Sequence, residues 1–337
     1  MLVIVLVLLI GLVGIYLYRR AYRHNLDLHG SSSAILLIPT GAGFDAVKDS
    51  LLAHGYLRNP GSFEWTAKRK GYDRQVRPGR YRLKEGMTNS ALVDLLRSGA
   101  QEPVRLFFRH ARTPAELAGK VSGYIEADSL AILNLMRDQD FLRAFGVTPV
   151  TVFTILIPNT YEFFWNTSAQ GFMTRMYKES EKFWEGARSE AAGEIGLSRT
   201  QVVTLASIVE KETYMNAEKA AIAGVYMNRL RLGMMLQADP TLIYAWNDYT
   251  IKRVLDRHKT INSPFNTYVH PGIPPGPICL PSVASIDAVL HYEKHDYLYF
   301  CAKEDFSGYH NFASTLAAHN RNAARYQQAL SRSNILR

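Results

Sequence analysis

The chain has 337 residues, 47% hydrophobic and 20% charged, which gives room for two domains with a large core and excludes a chain that stays unfolded. Its formal net charge of +9 is concentrated, with 13 Lys or Arg against 5 Asp or Glu between Arg58 and Arg112. That imbalance suits a partner with negative charge (an anionic lipid headgroup, a polyanionic wall polymer or nucleic acid) and weighs equally with a plain solvated basic surface.

Residues 1–18, MLVIVLVLLIGLVGIYLY, carry no charge, and Arg19, Arg20 and Arg23 follow. An apolar helix of that length just crosses a bilayer core. The stretch lacks the basic lead-in and the small-residue cleavage site of a signal peptide. We therefore expect a transmembrane anchor over 1–20 and a polar linker over 21–33. By the positive-inside rule the arginines would hold the following chain in the cytoplasm.

Ala34 to Ile38 has the character of a strand, Phe44 to His54 and Ser62 to Lys70 of helices, and Gly79 to Leu83 alternates as a second strand. This strand-helix-helix-strand module is too small for a deep pocket and reads as a binding or positioning domain. Asn89 to Arg97 predicts a helix closed by Gly99, and Val104 to Phe108 a strand. Thr113-Pro-Ala-Glu116 opens a helix, and the chain is mainly helical to Gly196 except for a polar loop over 155–162 containing Tyr161 and Glu162. The fold class is α+β.

The helix over Leu205-Ala-Ser-Ile-Val-Glu-Lys-Glu-Thr213 carries two carboxyls in an apolar setting. Ser198 and Gln201 form a capping box, so it should run from Arg199 toward Tyr214. At 100° per residue Ser207 and Glu210 share a face, while Glu212 lies on another. The C-terminal dipole end and apolar neighbours would keep Glu210 protonated, as a general acid requires; Ala206 and Ser207 would leave room for a ligand beside it. A buried Glu210 paired with Arg229 or Arg231 is an equally weighted alternative. Glu212 reads as a supporting group.

Asn216 is placed to cap a helix over Ala217 to Leu232. Leu236 to Tyr244 reads as a polar turn anchored by Asp239-Pro-Thr, and two proline-rich loops, 263–268 and 272–277, suit a carbohydrate groove. Tyr297 to Phe300 reads as a buried strand and Asn311 to Ser331 as a polar helix. Cys279 and Cys301 could close a disulfide in an oxidising compartment but are expected as packed thiols; His291 and His295 lack a third ligand, so no metal site is expected.

The segments LASIVEKET (205–213), VYMNRLRLGMMLQADPTLIY (225–244), SPFNTYVHPGIPPGPI (263–278), DYLYF (296–300) and HNFASTLAAHN (310–320), with weaker matches at 79–99 and 158–163, together resemble the MltG/YceG family of membrane-bound endolytic murein transglycosylases. The resemblance implies an anchor, a LysM-like peptidoglycan-binding module over 34–103 and a YceG-like catalytic domain over 104–337. It also implies catalysis by Glu210, and substrate contacts from Tyr161, Glu162, Ser207, Asn228, Gln237, Asp239, Thr241, Asn266 and Tyr268. No cofactor is implied. The expected partners are peptidoglycan glycan strands, the inner membrane through the N-terminal helix, and cell-wall synthases such as penicillin-binding proteins. The globular part is then expected on the periplasmic or extracytoplasmic face, against the arginine rule; a preceding cytoplasmic extension would remove that conflict.

The chemistry so implied needs one carboxyl. It would protonate the glycosidic oxygen between N-acetylmuramic acid and N-acetylglucosamine and then accept the muramic 6-hydroxyl proton, leaving a 1,6-anhydro end. A hydrolase would need a second carboxylate, for which Asp239 is the candidate. A non-catalytic scaffold for wall synthases is the alternative outside enzymology. A nucleic-acid binder fits least, since the basic segment carries no recognition helix.

Overall fold

In the computed structural model, which describes residues 2–332, the chain divides into two compact units. The first runs to Leu106 and takes back Ser122–Ala127 and Tyr161–Ser168; the second comprises Phe107–Val121, Asp128–Thr160 and Ala169 onward.

The first unit opens with α1 (Leu2–Tyr22), a helix with no buried residue and a mean hydropathy of 2.5 over its most apolar window. Strand β1 (Ser33–Ile38), α2 (Phe44–Ala53), α3 (Pro60–Arg69), β2 (Gly79–Lys84) and α4 (Asn89–Ser98) follow. β1 and β2 are antiparallel, with Ser33 opposite Lys84 and Ile38 opposite Gly79. Period-two alternation turns Tyr81 and Leu83 inward and Arg80 and Arg82 outward, where both reach Glu102 at 2.6 and 2.9 Å. The inward residues pack with Leu36 and Ile38, with Val47 and Leu51 of α2, Phe63 of α3 and Leu92, Val93 and Leu96 of α4. Asn59 and Thr88 cap α3 and α4 by accepting from Ser62 N and Ala91 N, and Gly99 ends α4 at φ 72°.

The expected linker over 21–33 is not a free tether. Leu26 is fully buried in this core, and Asn25 accepts from Asn59 N at 2.7 Å and donates to Asn89 Oδ1 at 2.7 Å. Asn89 in turn donates to the Arg20 carbonyl at 2.9 Å, which fastens the end of α1 to the module.

The chain then passes through β3 (Val104–Phe108), α5 (Pro114–Ser122), α6 (Ser129–Arg137), α7 (Gln139–Arg143), β4 (Asn159–Phe163), α8 (Ala169–Trp184) and α9 (Ala187–Glu194). The loop expected over 155–162 is thus partly a strand. The second unit continues with α10 (Arg199–Glu212), α11 (Asn216–Arg231), α12 (Asp239–Trp246) and α13 (Val283–Leu290), then β5 (Tyr299–Ala302), β6 (His310–Ala313) and α14 (Leu316–Arg332).

Helix α10 is the unit's axis. The predicted Ser198–Gln201 capping box is present, with Ser198 N donating to Gln201 Oε1 at 2.9 Å and Gln201 N to Ser198 Oγ at 3.2 Å. Every residue from Val202 to Val209 is buried, because α11, α12 and α13 surround the helix; a helix apolar all round belongs in a core. Four expectations fail here. Met215, not Asn216, occupies the N-cap of α11, with no side-chain cap bond. The Asp239-Pro-Thr turn is the first turn of α12, where proline's fixed φ is pre-set for a helix start. The strand near 297–300 is the half-buried hairpin β5–β6, with Tyr299 opposite Ala313. The polar helix begins at Leu316, since residues 310–313 are β6. Cys279 and Cys301 are free thiols, and burial pushes the Cys279 thiol up to about 12.

Candidate active site

The two glutamates of α10 occupy different surroundings. Glu210 Oε2 accepts from Lys219 Nζ at 3.0 Å, Ser282 Oγ at 2.6 Å, Ser285 Oγ at 2.5 Å and Ser282 N at 3.3 Å. Ser282 is the N-cap of α13, so this carboxylate sits at the positive end of that helix's dipole while pairing a lysine of α11 that is only 5% exposed. Burial alone would raise its pKa, but the two serines and Lys219 together hold it below the usual carboxylate range. Glu210 is therefore an ionised clamp across α10, α11 and α13, contrary to the expectation of a protonated acid. The room expected beside it is filled: Ser207 is fully buried, accepts from Ile278 N at 2.9 Å and donates to Thr204 O at 2.6 Å.

Glu212 is the last helical residue of α10; Thr213 turns the chain to extended backbone at φ −145°, ψ 144°. Its carboxyl lines a cavity of about 400 Å³ with Tyr226, Gln237, Asp239, Tyr268, Tyr299 and His319. Burial is the largest cause pushing its pKa up to about 7; the Asp239 carboxylate adds to this, while the Tyr226 hydroxyl and Arg229 oppose it. Tyr226 donates to Glu212 Oε1 at 2.5 Å and is itself locked edge-on against Phe300, ring centres 6.0 Å apart. Arg229 is spent on structure, donating to the carbonyls of Leu298 and Leu236 at 2.7 Å each.

Three of the expected substrate contacts reach this cavity. Gln237 is exposed, its backbone held at φ 49° by a bond from its N–H to Thr267 O at 3.0 Å; a left-handed non-glycine residue costs on the order of 1 kcal/mol or more. Asp239 accepts from the Tyr268 hydroxyl at 2.5 Å. The others do not line it. Asn228 is buried, donating to His295 O and Tyr297 O at 2.7 and 3.0 Å. Thr241 is fully buried and bonds Ala238 O and Thr267 Oγ1 at 2.7 and 2.9 Å. Asn266, also fully buried, donates to Lys259 O and Ile261 O and accepts from Tyr268 N at 3.0 Å, so it shapes the loop that presents Tyr268. Tyr161 is buried on β4 and Glu162 exposed there, neither on the cavity wall. Tyr226, on the next helix, and Tyr299 and His319, from β5 and α14, were not singled out in the sequence because nothing in their own segments marks them as facing Glu212; Glu212 was visible but assigned a supporting role.

Comparison with known proteins places the chain in a family. A sequence profile of the YceG-like family matches residues 36–325. The chain belongs to the YceG-like family. The endolytic murein transglycosylase of Bacillus subtilis (strain 168) is 29% identical over 335 residues, covering 95% of this chain and 91% of that protein. The protein of the same name from Streptococcus pneumoniae (strain D39) is 26% identical over 333 residues, covering 89% of this chain, which spans only 60% of the streptococcal protein. A 2.6 Å crystal structure of a putative yceG-like protein from Listeria monocytogenes superimposes on this YceG-like chain with a TM-score of 0.57 at 27% identity, covering 86% of this chain and 98% of the other.

Proposed function

We propose that this chain is a membrane-anchored endolytic peptidoglycan lytic transglycosylase, and that Glu212, not Glu210, is its acid and base. The observation that carries this is a single carboxyl with a pKa of about 7 on the wall of a polar cavity, beside Gln237, Asp239 and Tyr268. A group poised near neutral pH can both give and take a proton, which a carboxylate held ionised by a lysine and two hydroxyls cannot. Protonated Glu212 gives its proton to the glycosidic oxygen between N-acetylmuramic acid and N-acetylglucosamine inside a strand. The C1–O bond breaks through an oxocarbenium-like transition state. The carboxylate then takes the proton of the muramic 6-hydroxyl as that oxygen bonds C1, so water is not consumed and the new end is a 1,6-anhydro sugar. The Tyr226 hydroxyl stabilises the carboxylate stage, and the exposed amide of Gln237 is available to an N-acetyl group.

In this account the β1–β2 module is a LysM-like peptidoglycan-binding domain and α1 an anchor that places the globular part on the extracytoplasmic side, where it cuts growing strands near wall synthases. The relatives named endolytic murein transglycosylase support the substrate. A second reading has one specific observation behind it: Asp239 is a second carboxylate on the same cavity, as a hydrolase requires. Its engagement by the Tyr268 hydroxyl favours a positioning role. Mass spectrometry of glycan strands treated with the full chain in detergent separates the two: internal cuts ending in 1,6-anhydromuramic acid are expected. Reducing ends would establish hydrolysis, and no cleavage by a folded protein would leave a wall-binding scaffold.

A further inference from the structure

A second cavity, of about 560 Å³, lies where α1 meets α3 and α4, and its wall includes Arg19, Arg20, Arg23, Arg58, His24 and Tyr16. Its charge is only partly neutralised. Arg58 pairs with Asp27 at 3.2 Å and Glu85 at 3.7 Å. Among the described residues Arg20 has no carboxylate partner; it donates to Gly61 O at 3.3 Å and lies over the rings of Tyr16 and Trp65 at 5.8 and 5.4 Å. Arg19 and Arg23 make no described ion pair, and with Tyr18 and Tyr22 they also line an adjoining hollow of about 380 Å³. The base of this arrangement is rigid, since Asn89 donates to the Arg20 carbonyl and Arg20 is fixed from both sides.

Its position relative to α1 gives the arrangement meaning. Eighteen uncharged residues span about the thickness of a bilayer core, so these arginines fall at headgroup depth, and Tyr16, Tyr18 and Tyr22 fall where interfacial aromatics collect. An arginine fork matches the oxygens of a phosphate.

We propose that this cavity binds the phosphate of an anionic phospholipid in the leaflet from which the globular part projects, and so fixes the module's height over the membrane. The proposal rests on α1 being a membrane anchor. The test places the full chain in nanodiscs of equal phosphatidylglycerol and phosphatidylcholine, releases it, and counts retained lipids by native mass spectrometry. Wild type should retain phosphatidylglycerol in excess by about fivefold or more, since each basic side chain near a lipid phosphate is worth roughly 1 kcal/mol. Arg19→Gln/Arg23→Gln, whose side chains hold no other described group, should melt like wild type and lose most of that excess, and an unchanged excess would overturn the site. Parity in wild type, with the chain inserted, would overturn the lipid site and leave the anchor standing. Loss of the excess in millimolar inorganic phosphate would assign the cavity to the free anion and overturn the lipid assignment. A chain that stays outside the disc would overturn the anchor and the site together.

Discussion

Two positions apart on one helix, Glu210 and Glu212 have opposite chemistry because of what stands opposite each. Glu210→Gln should cost about 3 kcal/mol, since it leaves the buried Lys219 ammonium without its carboxylate. Because its folded pKa is depressed, the stabilisation is present above the ordinary carboxyl range and lost as pH falls through the folded value. The melting difference between wild type and variant should therefore close on acidification. For Glu212 the sign is reversed: a raised folded pKa makes ionisation unfavourable to the native state, so the penalty grows as pH rises from the unfolded value to about 7 and is constant above. Thermal melts of Glu212→Gln should show it gaining on wild type between pH 5 and pH 8, by roughly 2–3 kcal/mol. Helical spacing separated the two faces correctly. It could not tell which carboxyl would be neutralised, because Ser282, Ser285 and Asp239 come from elements 27 or more residues away.

At the scale of elements, local signals were legible where they are self-contained. The capping box of α10, the alternation of β2 and the Gly99 terminus of α4 each need only neighbouring residues. Asp239-Pro-Thr misled because proline serves a turn and a helix start equally well, and only the packing of Leu242 in the core decides between them. The site's support depends on close approach: a Cβ at Gly224 in α11 would run into the Glu293 carbonyl and come 2.7 Å from His295 Nε2. Gly224→Ala should cost about 2 kcal/mol by forcing α11 away from that segment, measurable by denaturant unfolding. Since α11 also carries Tyr226, the variant's apparent affinity for glycan should fall with its stability.

For the molecule as a whole, the apolar start and the carbohydrate-type loops agreed with each other, while the arginines after the apolar start pointed to the opposite side of the membrane. The linker over 21–33 was misread because its polar composition hides Leu26 and Leu28, two leucines that complete the core of the first unit. A polar stretch with buried leucines is a strap, not a tether. The consequence is mechanical continuity from α1 into the module. The full chain should stay with the membrane pellet after alkaline carbonate extraction, and the basic side chains next to α1 should resist modification more in anionic than in neutral vesicles.

The most direct measurement is the cleavage rate of purified glycan strands per folded molecule for wild type, Glu212→Gln and Glu210→Gln, across pH 5 to 9. Glu212→Gln should stay folded and lose activity by about a hundredfold or more, while folded Glu210→Gln keeps most of its rate. The wild-type rate should fall as pH rises past about 7, where Glu212 loses the proton it must donate. A Glu212→Gln variant that cuts at the wild-type rate, or a folded Glu210→Gln that cuts none, would contradict the assignment.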